Sequence, residues 1–63
     1  MILINLKNIR ENQNLTQEKL SQISGISQQH ICMIENGSRT GSLNTLKKLA
    51  KALNVSLDRL ISI

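Results

Sequence analysis

The chain has 63 residues, a net charge of +4, no aromatic residue, no proline and one cysteine. A chain of this length buries only about 60% of the surface its unfolded form exposes, which leaves room for one small domain and little for the deep pocket of an enzyme. One Cys and one His (His30) supply neither an internal disulfide nor the four ligands of a zinc site, and no apolar run approaches the ~20 residues of a membrane span.

The opening Met1-Ile2-Leu3-Ile4 is too short for a signal-peptide core and has no basic flank before it, so a cytoplasmic protein is expected. Five short helices fit between the glycines and the Ser, Thr and Asn positions. The first spans roughly residues 3–13, with Leu6 and Ile9 on one face and Asn12-Gln13-Asn14 at its frayed end. Thr16 stands at the N-cap of the second, with Glu18 in its first turn, where a carboxylate suits the helix dipole. Leu20 and Ile23 are its expected buried pair, and Gly25 closes it with positive φ. Ser27 caps the third helix, Ile31 and Ile34 are its buried pair, and Gly37 ends it. The tight connection through Gly25, Ile26 and Ser27 has helix-turn-helix spacing. Ser42 caps the fourth helix, whose apolar stripe runs Leu43, Leu46, Leu49, Ala50, Leu53. Asn54 suits a left-handed end, and Ser56 caps a last turn from Leu57 to Ile61. Only Ile2-Leu3-Ile4 and Leu60-Ile61-Ser62-Ile63 could extend as strands. The expected class is all-α.

The third helix is unusual on the face opposite Ile31 and Ile34. At about 100° per residue, Gln29, Cys32 and Met33 point outward, Gln28 lies at the side in the first turn, and none is charged. A solvated face normally carries Lys and Glu. Two glutamines beside polarizable apolar groups suit the floor of a DNA major groove. A Gln carboxamide bonds adenine N6 and N7 together, and Met or Cys packs on a thymine methyl. The plainer reading is a core Met and Cys beside two surface glutamines. Eight Lys and Arg against four Asp and Glu also fit a polyanionic surface, although small proteins often carry such a balance without binding one.

The run Leu15-Thr16-Gln17-Glu18-Lys19-Leu20, then Gly25-Ile26-Ser27-Gln28-Gln29, then Ile31 and Ile34-Glu35-Asn36-Gly37, resembles the phage repressor and Cro family of helix-turn-helix proteins. Leu43, Leu46 and Ala50, then Leu53-Asn54-Val55-Ser56-Leu57-Asp58, extend the likeness, which covers the chain from about Leu6 to Ile61. The resemblance implies a compact five-helix bundle of the lambda-repressor-like type, with residues 1–63 as one DNA-binding domain. By the same resemblance Gln28, Gln29 and Met33 occupy base-reading positions and Ser27 caps the recognition helix; Cys32, on the same outward face, is expected at the groove edge. Gln17, at the start of the second helix, matches a phosphate contact, as do Ser27, Asn36, Arg39 and Thr40. Arg10 and Glu35 match a pair that forms a buried ion pair in some relatives; the alternative for Arg10 is an exposed cation. Gly41 stands where many relatives have Pro, so a more mobile start to the fourth helix is expected; Asn54 stands where many have Gly. With neither Arg nor Lys on the reading face, the half-site is expected to lean to A·T pairs.

The remaining residues carry weaker signals. His30 suits a phosphate contact or a plain surface position. Lys47, Lys48 and Lys51 form a solvated basic face. Leu57, Leu60, Ile61 and Ile63 make an apolar tail, expected to be a two-fold dimer patch rather than to fold back onto Leu6 as core. A homodimer would set two recognition helices about 34 Å apart and require a near-palindromic operator. The expected function is sequence-specific binding of double-stranded DNA by a bacterial or phage transcription regulator, most simply a repressor, with no cofactor, metal, membrane or small-molecule ligand. An antitoxin-like or adaptor module docking on another protein is the alternative. No residue pair forms an acid–base or nucleophile–base unit, which argues against an enzyme.

Overall fold

The computed structural model describes residues 3–62. In chain order they form β1 (Leu3–Ile4), α1 (Leu6–Asn12), α2 (Gln17–Ser24), α3 (Gln28–Glu35), α4 (Leu43–Ala52), α5 (Leu57–Leu60) and β2 (Ile61–Ser62). The helices are those expected from the sequence, with two changes at the ends. The first helix begins at Leu6 rather than near residue 3, and the last ends at Leu60 rather than Ile61. The residues released from both are extended and pair antiparallel, Leu3 opposite Ser62 and Ile4 opposite Ile61. The Asn5 N–H continues this join by donating to the Leu60 carbonyl at 2.8 Å. The all-α bundle is thus closed by a two-residue ribbon between its ends.

Four of the five helices start on a hydroxyl cap. Thr16, Ser27, Ser42 and Ser56 have extended backbones, and their side chains accept the N–H of Lys19, His30, Thr45 and Arg59. Each cap satisfies one of the free N–H groups of a helix start, a contribution of about 1 kcal/mol. The stops are equally local. Gly25 takes φ 77° at the end of α2, and Asn54 takes φ 57° after α4. Asn14, also left-handed at φ 59°, turns the chain from α1 into α2.

Every helix sends a side chain into one core. Leu6, Leu20, Ile31, Leu49 and Leu60, with Leu53 just beyond α4, are its largest fully buried groups. Each contributes about 1.5–3 kcal/mol relative to an exposed position. Two residues expected in the core are outside it. Ile23 is 47% exposed, and the next residue, Ser24, uses its hydroxyl to accept the Ile26 N–H at 3.1 Å. Leu43 is 56% exposed. As the first residue of α4 its side chain tilts beyond the helix start, where no turn lies beneath it. Leu60, expected at a dimer surface, is 0% exposed and belongs to the chain's own core. Leu57 and Ile61 are half-buried against that core. Ile63 lies outside the described residues.

Candidate nucleic-acid interface

The turn between α2 and α3 sets the direction of the third helix. The Ser21 hydroxyl donates to the Ile26 carbonyl at 2.6 Å, and the Ser24 hydroxyl takes the Ile26 N–H. With Ile26 held on both sides and Ile31 and Ile34 buried, the opposite face of α3 has to point outward. Gln28, Gln29 and Cys32 are exposed on it, and Met33 is half-buried. Cys32 is a free thiol.

These four side chains line one shallow groove of about 580 Å³, together with Gln17, Asn36 and Ser38. A neighbouring cleft is lined by Ser27, Gln29, His30, Met33 and Arg39, and a third by His30, Arg39, Thr40, Gly41, Ser42 and Thr45. The residues read as base contacts therefore share a single surface, and those read as phosphate contacts border it. The loop after α3 is tied down to that surface. The Met33 carbonyl accepts the N–H of Ser38 at 2.9 Å and of Arg39 at 3.2 Å, which holds the Arg39 backbone against the helix. Asn36 Oδ1 takes the Ser38 N–H at 2.9 Å.

Behind the groove lies the charged brace. Arg10 Nε donates to Glu35 Oε2 at 2.7 Å and Arg10 Nη2 to Glu35 Oε1 at 3.1 Å, a two-pronged contact with side chains 10% and 4% exposed. Arg10 Nη1 donates to the Leu15 carbonyl at 2.6 Å. Gln17 Nε2 donates to Glu35 Oε1 at 3.0 Å. Burial pushes the Glu35 carboxyl up, but the hydrogen bonds from Arg10 and Gln17 and the charges of Arg10 and Lys7 outweigh it, and the group titrates below the usual carboxylate range. Hydrogen bonding to Glu35 likewise holds Arg10 above its already high value, against the opposing effect of burial. Both partners stay charged.

Two residues near the groove were not singled out from the sequence. Lys7 lines the cleft it shares with Arg10, Gln17, Cys32, Glu35 and Asn36. Its place three residues before Arg10 on α1 was the available signal. Ser38 joins the groove wall through a loop fold that no local pattern announces. Among the described residues no helix is long and apolar enough to cross a membrane.

The chain is similar to known proteins. The family described as Helix-turn-helix matches residues 6–60. Control protein C.SmaI of Serratia marcescens is 41% identical over 58 residues, covering 92% of this chain and 69% of that protein. The uncharacterized HTH-type transcriptional regulator y4dJ of Sinorhizobium fredii (strain NBRC 101917 / NGR234) is 40% identical over 58 residues, covering 92% and 75%. The crystal structure of the restriction-modification controller protein C.AhdI from Aeromonas hydrophila superposes with a TM-score of 0.85 at 34% identity, covering 89% of this chain and 85% of that one.

Proposed function

Because the chain belongs to the helix-turn-helix family of DNA-binding transcription regulators, we propose that residues 1–63 act as one unit that represses transcription by covering a near-palindromic, A·T-leaning operator as a homodimer. The observation that carries this reading is the single open groove on α3 shared by Gln28, Gln29, Cys32 and Met33. The two glutamines bond adenine edges, and the sulfur side chains pack on thymine methyls. Gln17, Ser27, His30, Asn36, Arg39 and Thr40 hold phosphates on either side, which sets register and supplies salt-dependent affinity. Arg10 and Glu35 keep α1 and α3 in place beneath them.

One domain of this size makes too few contacts for specific binding at ordinary salt, which favours a pair of chains on two half-sites. Leu57 and Ile61 are the tail residues with surface left for such a contact. The role is regulatory, not enzymatic, and is exercised in the cytoplasm. Likeness to two controller proteins, one of a restriction–modification system, supports a control function for a protein of this kind.

The test is selection from a random duplex library, followed by anisotropy titration of the winner and sedimentation of the complex. A palindromic A·T-leaning consensus bound by two chains supports the reading. A consensus dominated by G·C pairs at the recognition positions would contradict the base assignment. Monomers alone, with and without operator, would overturn the dimer. Failure to enrich any sequence favours the docking-module alternative, with the face of Cys32 and Met33 and the apolar tail as its docking surfaces.

A further inference from the structure

Gln17 stands where two clefts meet, lining the α3 groove beside Gln28 and the cleft that holds Lys7 and Glu35. A carboxamide on a helix surface ordinarily samples several rotamers, and its oxygen and nitrogen ends exchange places freely. Gln17 is held. Its Nε2 donates to Glu35 Oε1 at 3.0 Å, and that carboxylate is itself gripped by Arg10 at 2.7 and 3.1 Å. An ionised carboxylate only accepts hydrogen bonds, so it selects the nitrogen end of the amide. One amide hydrogen goes to Glu35 and the second remains for an acceptor in the groove. The Arg10 guanidinium offsets the negative charge that would otherwise repel a phosphate at this spot, and Lys7 lines the same cleft.

We infer that Glu35 is a positioning residue for DNA, acting through Gln17: it holds the carboxamide in its phosphate-donating orientation before DNA arrives. The inference rests on the reading of Gln17 as a phosphate donor. Freezing one such side chain in advance is expected to raise affinity about two- to tenfold.

The experiment compares four proteins by anisotropy on the duplex recovered from selection: the native chain, Gln17→Ala, the paired apolar replacement Arg10→Met with Glu35→Leu, and all three changes together. The pair removes the anchor while leaving no buried charge stranded, and thermal melts establish that it folds. The expected result is a smaller fold-loss from Gln17→Ala in the paired background than in the native chain. An equal loss in both backgrounds overturns the positioning role and leaves the phosphate role of Gln17 intact. No loss from Gln17→Ala in the native chain overturns both. Should the paired replacement not fold, nitrogen relaxation of the Gln17 side-chain amide in the free native chain decides the matter, with exposed Gln28 and Gln29 as internal references. A Gln17 amide as rigid as the backbone supports the inference, and one as free as its neighbours overturns it.

Discussion

Arg10 and Glu35 meet at 2.7 Å across 25 positions of chain, joining the first helix to the third beneath the groove. Removing one partner strands a charge in a nearly closed site, at a cost of about 3–5 kcal/mol, whereas replacing both with apolar groups of similar size is close to neutral. Arg10→Met alone is therefore expected to lower the urea midpoint sharply, with recovery when Glu35→Leu is added. Equal midpoints for the native and Arg10→Met chains would show that the contact carries no weight.

Acid stability follows from the same carboxylate. Glu35 titrates lower in the folded chain than in the unfolded one, where a glutamate has a pKa of about 4.3. The unfolded chain consequently takes up the proton first. The stability Glu35 contributes is complete well above that unfolded value and drains away as pH falls through the lower folded one. Equilibrium unfolding between pH 7 and pH 2 should show this loss, and a Glu35→Gln chain, though weaker at neutral pH, should show less of it. Parallel curves for the two proteins would assign the acid response to other groups.

Gly41 combines two constraints. Its φ is 77°, and a Cβ built there lies 3.2 Å from Ile34 Cδ1, with Thr45 Cγ2 at 3.5 Å. The backbone thus comes close against α3 at a left-handed residue. Gly41→Ala should destabilise by about 1–2 kcal/mol through the strained backbone alone. Thermal unfolding with no loss of midpoint would mean that the loop relaxes at no cost.

DNA titrations at two salt concentrations separate the two classes of contact. Gln28→Ala is expected to cost about 1–3 kcal/mol of discrimination at the base pair it reads, with the salt slope unchanged. Arg39→Ala should weaken binding to every duplex alike and flatten the log–log slope by about 1. A sequence-selective loss from Arg39→Ala would place that side chain in the groove rather than on the backbone.

The legible parts of this fold were those with a local cause. Thr16, Ser27, Ser42 and Ser56 mark helix starts by hydroxyl chemistry, and Gly25 and Asn54 mark ends by conformational preference. The outward face of α3 followed from period alone once Ile31 and Ile34 were set inward. Where the reading failed, the deciding partner was distant in sequence or at a helix end. Ile23 looks buried by spacing, yet it lies in the last turn of α2 and is exposed. Leu60 looks like a sticky tail until residues near the other end of the chain pair with its neighbours. The link from Gln17 to Glu35 also lay out of reach, since it depends on where α2 crosses the end of α3 rather than on either local pattern.

The ribbon of Leu3–Ile4 with Ile61–Ser62 has a consequence in time. A ribosome delivers the chain from its N-terminus at about 5–20 residues per second, and local helices form far faster than that. The pairing of Leu3 and Ile4 and the bond from the Asn5 N–H to Leu60 form only after residues 60–62 have emerged. Leu6 likewise shares a core with Leu60, a residue that emerges long after it. The helix-turn-helix can take shape early, but the bundle is closed only when residues 60–62 reach residues 3–5. A chain stalled before Leu60 would carry α2 and α3 on an unfinished base.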